Sequence, residues 1–167
     1  SEDAFADLMN QYAQQLGMKD THFVNATGLP DENHYTTASD LSRLTVALIN
    51  QFPEHYKMYS EKHFTYSDIK QSNRNKLLMR DSSVDGVKTG HTNAAGYCLI
   101  ASAVRDDMRL LSVVMGASSE EGRAAESQKL LTYGFRYFET VHLYRADEAL
   151  RQVRVWGGQY SAVKLGL

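Results

Sequence analysis

Apolar residues recur at helical spacing in three parts of the chain. Over residues 1–16 they repeat along one helical face and stop before Gly17, a residue suited to end a helix. A second helix is predicted to begin at Thr37, a capping residue, and to stop before Pro53. The third prediction is a long helix over residues 118–140, opened by a capping serine and acidic residues. Its face toward a sheet is expected to carry Leu130, Leu131, Phe135 and Phe138.

Runs of apolar and β-branched residues predict strands in the middle of the chain. Residues 96–104 and 108–116 form two such runs, and the polar link at 105–107 suits an antiparallel hairpin. The run at 84–92 is expected to lie beside them in one sheet. Residues 63–72 predict a separate, smaller hairpin.

Two alternating segments near the C-terminal end predict further strands, at residues 141–144 and 153–158. We expect them to begin a second, β-rich domain over residues 141–167, after a first domain over residues 1–140. Turn-forming residues at 25–33 predict a surface loop.

The composition is that of an ordinary globular chain. Its 167 residues can bury a core, with 43% hydrophobic and 23% charged residues. The net charge of −2 argues against a nucleic-acid partner, and no apolar run approaches the ~18 residues of a membrane span. The histidines show no metal-ligand spacing, so neither a metal site nor a cofactor is predicted. We interpret Cys98 as a small core thiol.

Residues 84–92 carry the strongest chemical signal. They read Val-Asp-Gly-Val-Lys-Thr-Gly-His-Thr, so Lys88 and Thr89 place a cation and a hydroxyl donor at a strand end, followed by Gly90. Because Gly90 has no Cβ, a substrate backbone can lie against the strand while its carboxylate meets Lys88 and Thr89. The alternative is a solvated lysine before a turn, since Lys-Thr-Gly also arises by chance.

Several motifs follow one another in a specific order. They are Asn73-Arg74-Asn75, the run at 84–92, Ala95-Gly96-Tyr97, Met108-Arg109-Leu110, the run at 122–127 and the run at 130–140. In this order the chain resembles the low-molecular-mass penicillin-binding proteins that act as serine D-Ala-D-Ala carboxypeptidases. The resemblance implies an α/β (α+β) fold: a β-lactamase/transpeptidase-like antiparallel sheet flanked by helices, incomplete here, with the start of a β-rich second domain.

The resemblance also implies roles for five residues. Lys88 would act as a catalytic group that relays protons, and Thr89 would hydrogen-bond the terminal carboxylate of the substrate. Gly90 would let the substrate approach the strand. The backbone N–H of His91 would form half of an oxyanion hole, and its imidazole is a candidate substrate contact. Arg123 would pair with the substrate carboxylate.

Three of the basic residues also have an interpretation that involves no substrate. Lys88 could be a surface cation at a strand end. Arg123 could instead form an intrahelical ion pair with Glu126, three positions later. Arg74, between two asparagines, is interpreted as a brace for the loops around the cleft rather than as a substrate contact.

The chain departs from the family pattern at the nucleophile. No Ser-x-Asn occurs, and Ser-x-x-Lys occurs twice by letter, at residues 67–70 and 161–164. Both lie in strand-like surroundings, whereas a serine and a lysine at this spacing cooperate when a helical turn stacks them. We therefore expect the chain to be the C-terminal part of a catalytic domain, inactive alone, whose nucleophile lies in preceding polypeptide.

The leading hypothesis for the parent protein is a carboxypeptidase that removes the terminal D-Ala from peptidoglycan pentapeptides through an acyl-enzyme. Expected partners are peptides ending in D-Ala-D-Ala, β-lactams, and the missing N-terminal half or a second copy of the chain. The expected location is the periplasm, with a membrane anchor in the parent that is absent here. The alternatives are a β-lactamase relative and a non-catalytic module that binds cell-wall peptides.

Overall fold

The computed structural model describes residues 1–146 and 148–166. These residues form helices and small antiparallel sheets that alternate along the chain. The helices are α1 (Glu2–Gln15), α2 (Ala38–Gln51), α3 (Pro53–Tyr56), α4 (Leu77–Arg80) and α5 (Glu120–Tyr137), with a 3₁₀ turn at Lys57–Ser60. The strands are β1 (His63–Tyr66), β2 (Ile69–Ser72), β3 (Val84–Thr92), β4 (Gly96–Arg105), β5 (Met108–Ala117), β6 (Ala149–Arg154) and β7 (Ala162–Gly166).

The first two helices begin and end at the predicted signals. The Ser1 hydroxyl accepts a hydrogen bond from the backbone N–H of Ala4, and the Thr37 hydroxyl accepts one from that of Asp40. Gly17 lies just beyond α1 with φ +74°, a conformation that glycine adopts without strain. The predictions of both helices are therefore confirmed.

Strands β3, β4 and β5 form one antiparallel sheet in that order. Lys88 pairs with Ile100 and Gly90 with Cys98, so the Lys-Thr-Gly segment lies on the strand beside β4. The β4–β5 turn places Asp106 and Asp107 at φ 47° and 62°, the left-handed region that aspartate tolerates in tight hairpins. The predicted three-stranded arrangement is confirmed, as is the smaller β1–β2 hairpin.

Helix α5 packs on this sheet as predicted, but only two of the four residues expected on its apolar face, Leu131 and Phe135, contact the core. Ser119 caps the helix, and Ala124 and Leu131 are buried against the sheet, with Phe135 packed beside them. Leu130 and Phe138, predicted on the same face, are 51% and 62% exposed. Leu130 lies about 100° around the helix from Leu131, and Phe138 lies beyond the helix end at Tyr137, in extended backbone.

A close approach between helix and sheet fixes the position of α5. A Cβ on Gly134 would overlap the Cδ1 atom of Leu110 on β5. Any larger residue at this position requires the Leu110 side chain to shift, so glycine suits the present packing of helix and strand. The core around this contact consists of Leu77, Leu78, Val84, Leu99, Ala101, Ala103, Ala124 and Leu131.

The C-terminal segment departs from the strand prediction. Residues 141–144 form no strand, and the structure leaves Val141 62% and Leu143 79% exposed. Their alternation of apolar and polar residues has no neighbouring strand to pair with. The hairpin that does form pairs β6 with β7, so the strand predicted at 153–158 is observed earlier, over 149–154. The division into domains at residue 140 remains a prediction. Within the described residues, no helix is long and apolar enough to cross a bilayer.

Asp81 ties three elements together at the end of α4. Its carboxylate accepts hydrogen bonds from Ser83, from Arg105 at the end of β4 and from Gln128 on α5. The Arg105 Nη2 atom lies 2.7 Å from Asp81 Oδ2. Burial alone would raise the pKa of Asp81, but the hydrogen bonds and the Arg105 charge outweigh it and lower the pKa from 3.8 to about 2.

We expect Asp81 to make the chain sensitive to acid. Because the pKa of its carboxyl is lower in the folded chain, its contribution is complete above about pH 4 and lost as the pH falls toward 2. The loss is about 2 kcal/mol of unfolding free energy. In urea titrations between pH 2 and 7, Asp81→Asn should be less stable than wild type at neutral pH, and the two should converge near pH 2.

The exposed Asp107 in the β4–β5 turn offers a matched control. Asp107→Asn keeps a residue that tolerates positive φ and should follow the wild-type stability curve throughout. A constant difference between Asp81→Asn and wild type over this pH range would contradict the assignment.

Candidate active site

Strand β3 brings the predicted Lys88, Thr89 and His91 to a cleft of about 320 Å³. We call it the basic cleft. It is lined by Arg74, Lys88, Thr89, Gly90, His91, Tyr97, Glu120 and Arg123. The residues come from β3, β4, the segment before α4 and the first turn of α5. The sequence-predicted site residues therefore share one cavity, although they are spread over 36 positions, from Lys88 to Arg123.

Arg123 is buried, with 3% of its surface exposed, and faces β3. Its Nη1 atom donates to the Gly90 carbonyl oxygen at 3.1 Å, and its guanidinium lies 5.5 Å from the centre of the Tyr97 ring. The alternative ion pair with Glu126 is not formed, because Glu126 pairs with Lys129 at 2.7 Å. Among the described residues no carboxylate pairs with Arg123, so its charge is available to an anion in the cleft.

Lys88 is exposed on the cleft side of β3. Its Nζ atom donates to the carbonyl oxygen of Thr89, and no carboxylate within residues 1–146 and 148–166 forms an ion pair with it. The acidic residue of the cleft, Glu120, lies 3.4 Å from Lys76 instead. Positive charge therefore dominates the basic cleft, which favours binding of a carboxylate.

The structure separates the roles of Arg74 and its asparagine neighbours. Asn75 is 1% exposed; its amide donates to the Gly86 carbonyl oxygen at 2.9 Å and accepts from the Leu77 backbone N–H at 3.1 Å. Asn75 thus braces the start of β3, whereas the sequence predicted that Arg74 braces the loops around the cleft. Arg74 is exposed and borders the cleft, and no hydrogen bond of its side chain is present among the described residues. The sequence signal for Asn75 was its place in Asn73-Arg74-Asn75, two residues before the short apolar run at 77–79.

Tyr97 lies in the basic cleft, although the sequence assigned it no role beyond its place in the Ala95-Gly96-Tyr97 motif. It pairs with His91 across β3 and β4, and the two rings lie 4.0 Å apart between centroids. Its ring therefore contacts the imidazole of His91 and also faces the Arg123 guanidinium. Cross-strand pairing brings these residues together, and it becomes visible once the register is known.

A polar cluster anchors the beginning of β3. Asp85 accepts a hydrogen bond from the Tyr56 hydroxyl at 2.9 Å and forms an ion pair with Arg109 at 2.7 Å. Burial, together with the neighbouring Asp85 carboxylate, raises the pKa of Tyr56 to about 12, so the phenol stays a hydrogen-bond donor at neutral pH. These contacts fix β3 just before the Lys-Thr-Gly segment.

A second, larger cleft of about 700 Å³ adjoins the basic cleft. The two share Arg74 and the β3 residues 88–91. The loop at residues 27–31 also lines it. Cys98 borders this cleft and is half-buried, so it is not the core thiol that the sequence suggested. Its place on β4 opposite Gly90 explains the difference, because glycine leaves its side uncovered.

Neither Ser-x-x-Lys sequence lies on a helix. Ser67 occupies the β1–β2 turn with φ 47°, and Lys70 lies on β2. Ser161 lies just before β7, and Lys164 lies within it. The expectation that no helical turn stacks these serines and lysines is therefore confirmed.

Comparison with known proteins identifies the family. A family model described as D-alanyl-D-alanine carboxypeptidase matches residues 1–119. The chain is 48% identical to the D-alanyl-D-alanine carboxypeptidase DacA of Escherichia coli K12, over 100% of the chain and 42% of that protein. It is 38% identical to DacF of Bacillus subtilis, over 99% of the chain and 43% of that protein. The chain thus spans less than half the length of the curated relatives that it matches.

Solved structures agree on the fold. Penicillin-binding protein 5 from Haemophilus influenzae superposes with a TM-score of 0.88 at 48% identity, covering 98% of this chain and 48% of that one. The Streptomyces K15 DD-transpeptidase superposes with a TM-score of 0.77 at 27% identity, covering 81% of this chain and 55% of that one. These matches confirm the transpeptidase-like fold. By sequence and by fold, the chain belongs to the D-alanyl-D-alanine carboxypeptidase family.

Proposed function

We propose that this chain forms the substrate-gripping wall of a serine D-Ala-D-Ala carboxypeptidase. The observation that carries the proposal is the basic cleft, in which the buried Arg123 and the exposed Lys88 both lack a carboxylate partner among the described residues. A peptide's terminal carboxylate supplies the missing charge, and the Thr89 hydroxyl supplies a further donor beside it. The cleft thus favours a peptide with a free C-terminal carboxylate, and the family match suggests D-Ala-D-Ala as its end.

The proposed reaction needs a serine nucleophile. Because neither Ser-x-x-Lys serine of this chain lies on a helix, we assign the nucleophile to other polypeptide. A serine hydroxyl from other polypeptide attacks the carbonyl carbon of the penultimate D-Ala, the peptide bond breaks, and D-alanine leaves with the terminal carboxylate. Water then hydrolyses the acyl-enzyme. In this scheme Lys88 raises the local positive potential and relays the proton, while the His91 backbone N–H contributes to an oxyanion hole.

The proposal extends to location and partners. The substrate would be a peptidoglycan pentapeptide in the periplasm. β-Lactams would occupy the same cleft because they mimic the D-Ala-D-Ala end of that peptide. A protein that contains this chain would be anchored at the inner membrane. We propose further that the chain associates with the polypeptide that carries the nucleophile, or with a second copy of itself.

A fluorescent penicillin tests the proposed function. We expect no covalent label on this chain, because neither of its Ser-x-x-Lys serines lies on a helix. We expect label on a longer protein that joins these residues to a helical Ser-x-x-Lys segment. In-gel fluorescence after denaturation reports the covalent bond, and an excess of unlabelled penicillin should abolish it.

Each other result has a clear meaning. Label on the isolated chain would show that Ser67 or Ser161 is reactive. The assignment of the nucleophile to other polypeptide would then be wrong. An unlabelled longer protein that still binds D-Ala-D-Ala peptides would show a binding module without catalytic activity.

A further inference from the structure

A β-bulge interrupts β3 just before the Lys-Thr-Gly segment. Val84 pairs with Ala103 on β4. Gly86 follows Val84 by two positions, yet it pairs with Ser102, which is only one position away from Ala103. Asp85 is therefore the extra residue of the bulge. An extra residue of this kind changes the face of the sheet to which every later residue of the strand points.

The bulge decides the faces of the site residues. Directly paired residues of an antiparallel sheet point their side chains to the same face. Thr89 pairs with Leu99, a core residue packed under α5, so Thr89 points to the face on which Arg123 of α5 lies. Lys88 pairs with Ile100, points to the opposite face and lines the cleft from there. The bulge thus places a hydroxyl beside Arg123 and keeps the second cation on the other face.

These faces depend on where the extra residue is accommodated. If β3 continued in the register set before the bulge, Lys88 would lie opposite Leu99, a residue 1% exposed. Its ammonium would then share a face with Arg123, where burial and like charge both oppose it. A bulge further along, at Gly90, would also exchange the faces of Lys88 and Thr89, and glycine is a residue that bulges favour. The position of the bulge is therefore as important as its presence.

The Asp85 side chain holds the bulge in place. Its Oδ1 atom accepts a hydrogen bond from the Tyr56 hydroxyl at 2.9 Å, and Arg109 Nη1 donates to Oδ1 at 3.0 Å and to Oδ2 at 2.7 Å. The same Arg109 atom donates to the hydroxyl of Ser102, the partner of Gly86 on β4. A Cβ on Gly86 would lie 2.6 Å from the Tyr56 Oη atom, so glycine leaves the phenol room to reach Asp85. Contacts from α3 and β5 thus converge on the extra residue.

We propose that Asp85 is a positioning residue for the carboxylate-binding groups of the basic cleft. Its contacts with Tyr56 and Arg109 pin the bulge, and the pinned bulge sets the faces of Lys88 and Thr89. Asp85 lines neither of the two clefts formed by the described residues, so it acts through the register of the strand. The inference rests on the proposed function, since it assumes that a peptide carboxylate is bound in the basic cleft.

NMR of the isotopically labelled chain reports the register directly. In wild type the strongest cross-strand nuclear Overhauser contact of the Lys88 backbone should be with Ile100. Asp85→Ala removes all three hydrogen bonds to the carboxylate, so the extra residue is free to move along the strand. We expect contacts between Lys88 and Leu99 to appear in this variant at the expense of those with Ile100.

Peptide binding reports the consequence for the site. The probes are N-acetyl-D-Ala-D-Ala and the same peptide amidated at its C-terminus, each titrated into the chain by NMR. Asp85→Ala should weaken binding of the free acid about tenfold, the factor for one displaced charge-assisted hydrogen bond, and that of the amide less than about twofold. Asp85→Asn keeps an acceptor oxygen for Tyr56 and loses a partly exposed ion pair with Arg109. It should bind the acid within about threefold of wild type.

Asp81→Asn is the matched control. It removes another carboxylate that stabilises the fold, and it leaves the hydrogen bonds of Asp85 intact. It should keep the wild-type preference for the acid and the contact between Lys88 and Ile100. Where Asp85→Ala does not fold, as judged by circular dichroism, Tyr56→Phe replaces it. This variant removes a single hydrogen bond to Asp85 and should shift the same NMR contacts, with acid binding weakened about threefold.

The outcomes separate this inference from the proposed function. If wild type prefers the acid but the variants that lose contacts of Asp85 keep the pairing of Lys88 with Ile100, the role of Asp85 is wrong and the proposed function stands. Equal weakening of both peptides, or the same loss in Asp81→Asn, would also overturn the role, because general destabilisation would explain it. If wild type binds the acid no better than the amide, the proposed function is overturned and this inference falls with it.

Discussion

Replacing Arg123 by methionine is expected to weaken binding of a D-Ala-D-Ala peptide by about 10- to 100-fold, the range expected for a lost hydrogen bond to a charged group. Methionine keeps much of the buried stem but removes the guanidinium that lies between Gly90 and Tyr97. The measurement is an NMR titration with N-acetyl-D-Ala-D-Ala and with the same peptide amidated at its C-terminus. Only the free acid can form a charge-assisted pair with Arg123, so wild type should prefer it and the variant should not.

The amidated peptide distinguishes a role of Arg123 in binding the carboxylate from a role in supporting the fold. If Arg123 merely supports the fold, Arg123→Met will weaken both peptides by the same factor, and the assignment is wrong. Arg136→Met provides the control on the same helix, because Arg136 is exposed in the last turn of α5. We expect it to bind both peptides like wild type.

Asn75→Ala is expected to lower the free energy of unfolding by about 3 kcal/mol. The substitution leaves the buried Gly86 carbonyl oxygen and the Leu77 N–H without their partner, and it opens space beside them. Urea denaturation followed by circular dichroism measures the change. Because Asn75 braces β3 two residues before Lys88, the variant should also bind the peptide more weakly when it is folded.

A surface asparagine gives the reference for this effect. Asn50 is exposed at the end of α2, and Asn50→Ala should change the unfolding free energy by less than about 0.5 kcal/mol. Equal effects of the two substitutions would show that the Asn75 amide does not hold β3. Asn75→Asp should destabilise at neutral pH as well, because it replaces the donor to Gly86 by a buried charge.

The sequence was informative where the signal is local. Capping residues located the first two helices, and the polar link at 105–107 located the β4–β5 turn. The sequence also identified Lys88, Thr89 and Gly90 on β3 and Arg123 on α5 as candidate site residues, and the structure places them in one cleft. Their roles in binding and catalysis remain predictions, which the titrations above address.

Features that depend on tertiary packing were not visible in the sequence. The sequence predicted one face of α5 that holds both Leu130 and Leu131, whereas Gly134 packs against Leu110 and only Leu131 of the two leucines is buried. The pattern at 141–144 resembled a strand, but a strand needs a neighbour to pair with. Asn75 and Tyr97 acquire their importance from partners on other elements, at Gly86 and Arg123.

Arg123 holds a main-chain oxygen of β3 rather than a side chain. Every amino acid presents that oxygen, so the link between helix and strand survives whatever residue evolution installs at position 90. A Cβ there would meet only the Cβ of Cys98, at 3.9 Å. A side chain at position 90 would therefore leave the scaffold of this chain intact and would narrow only the space along β3 that is open to a ligand.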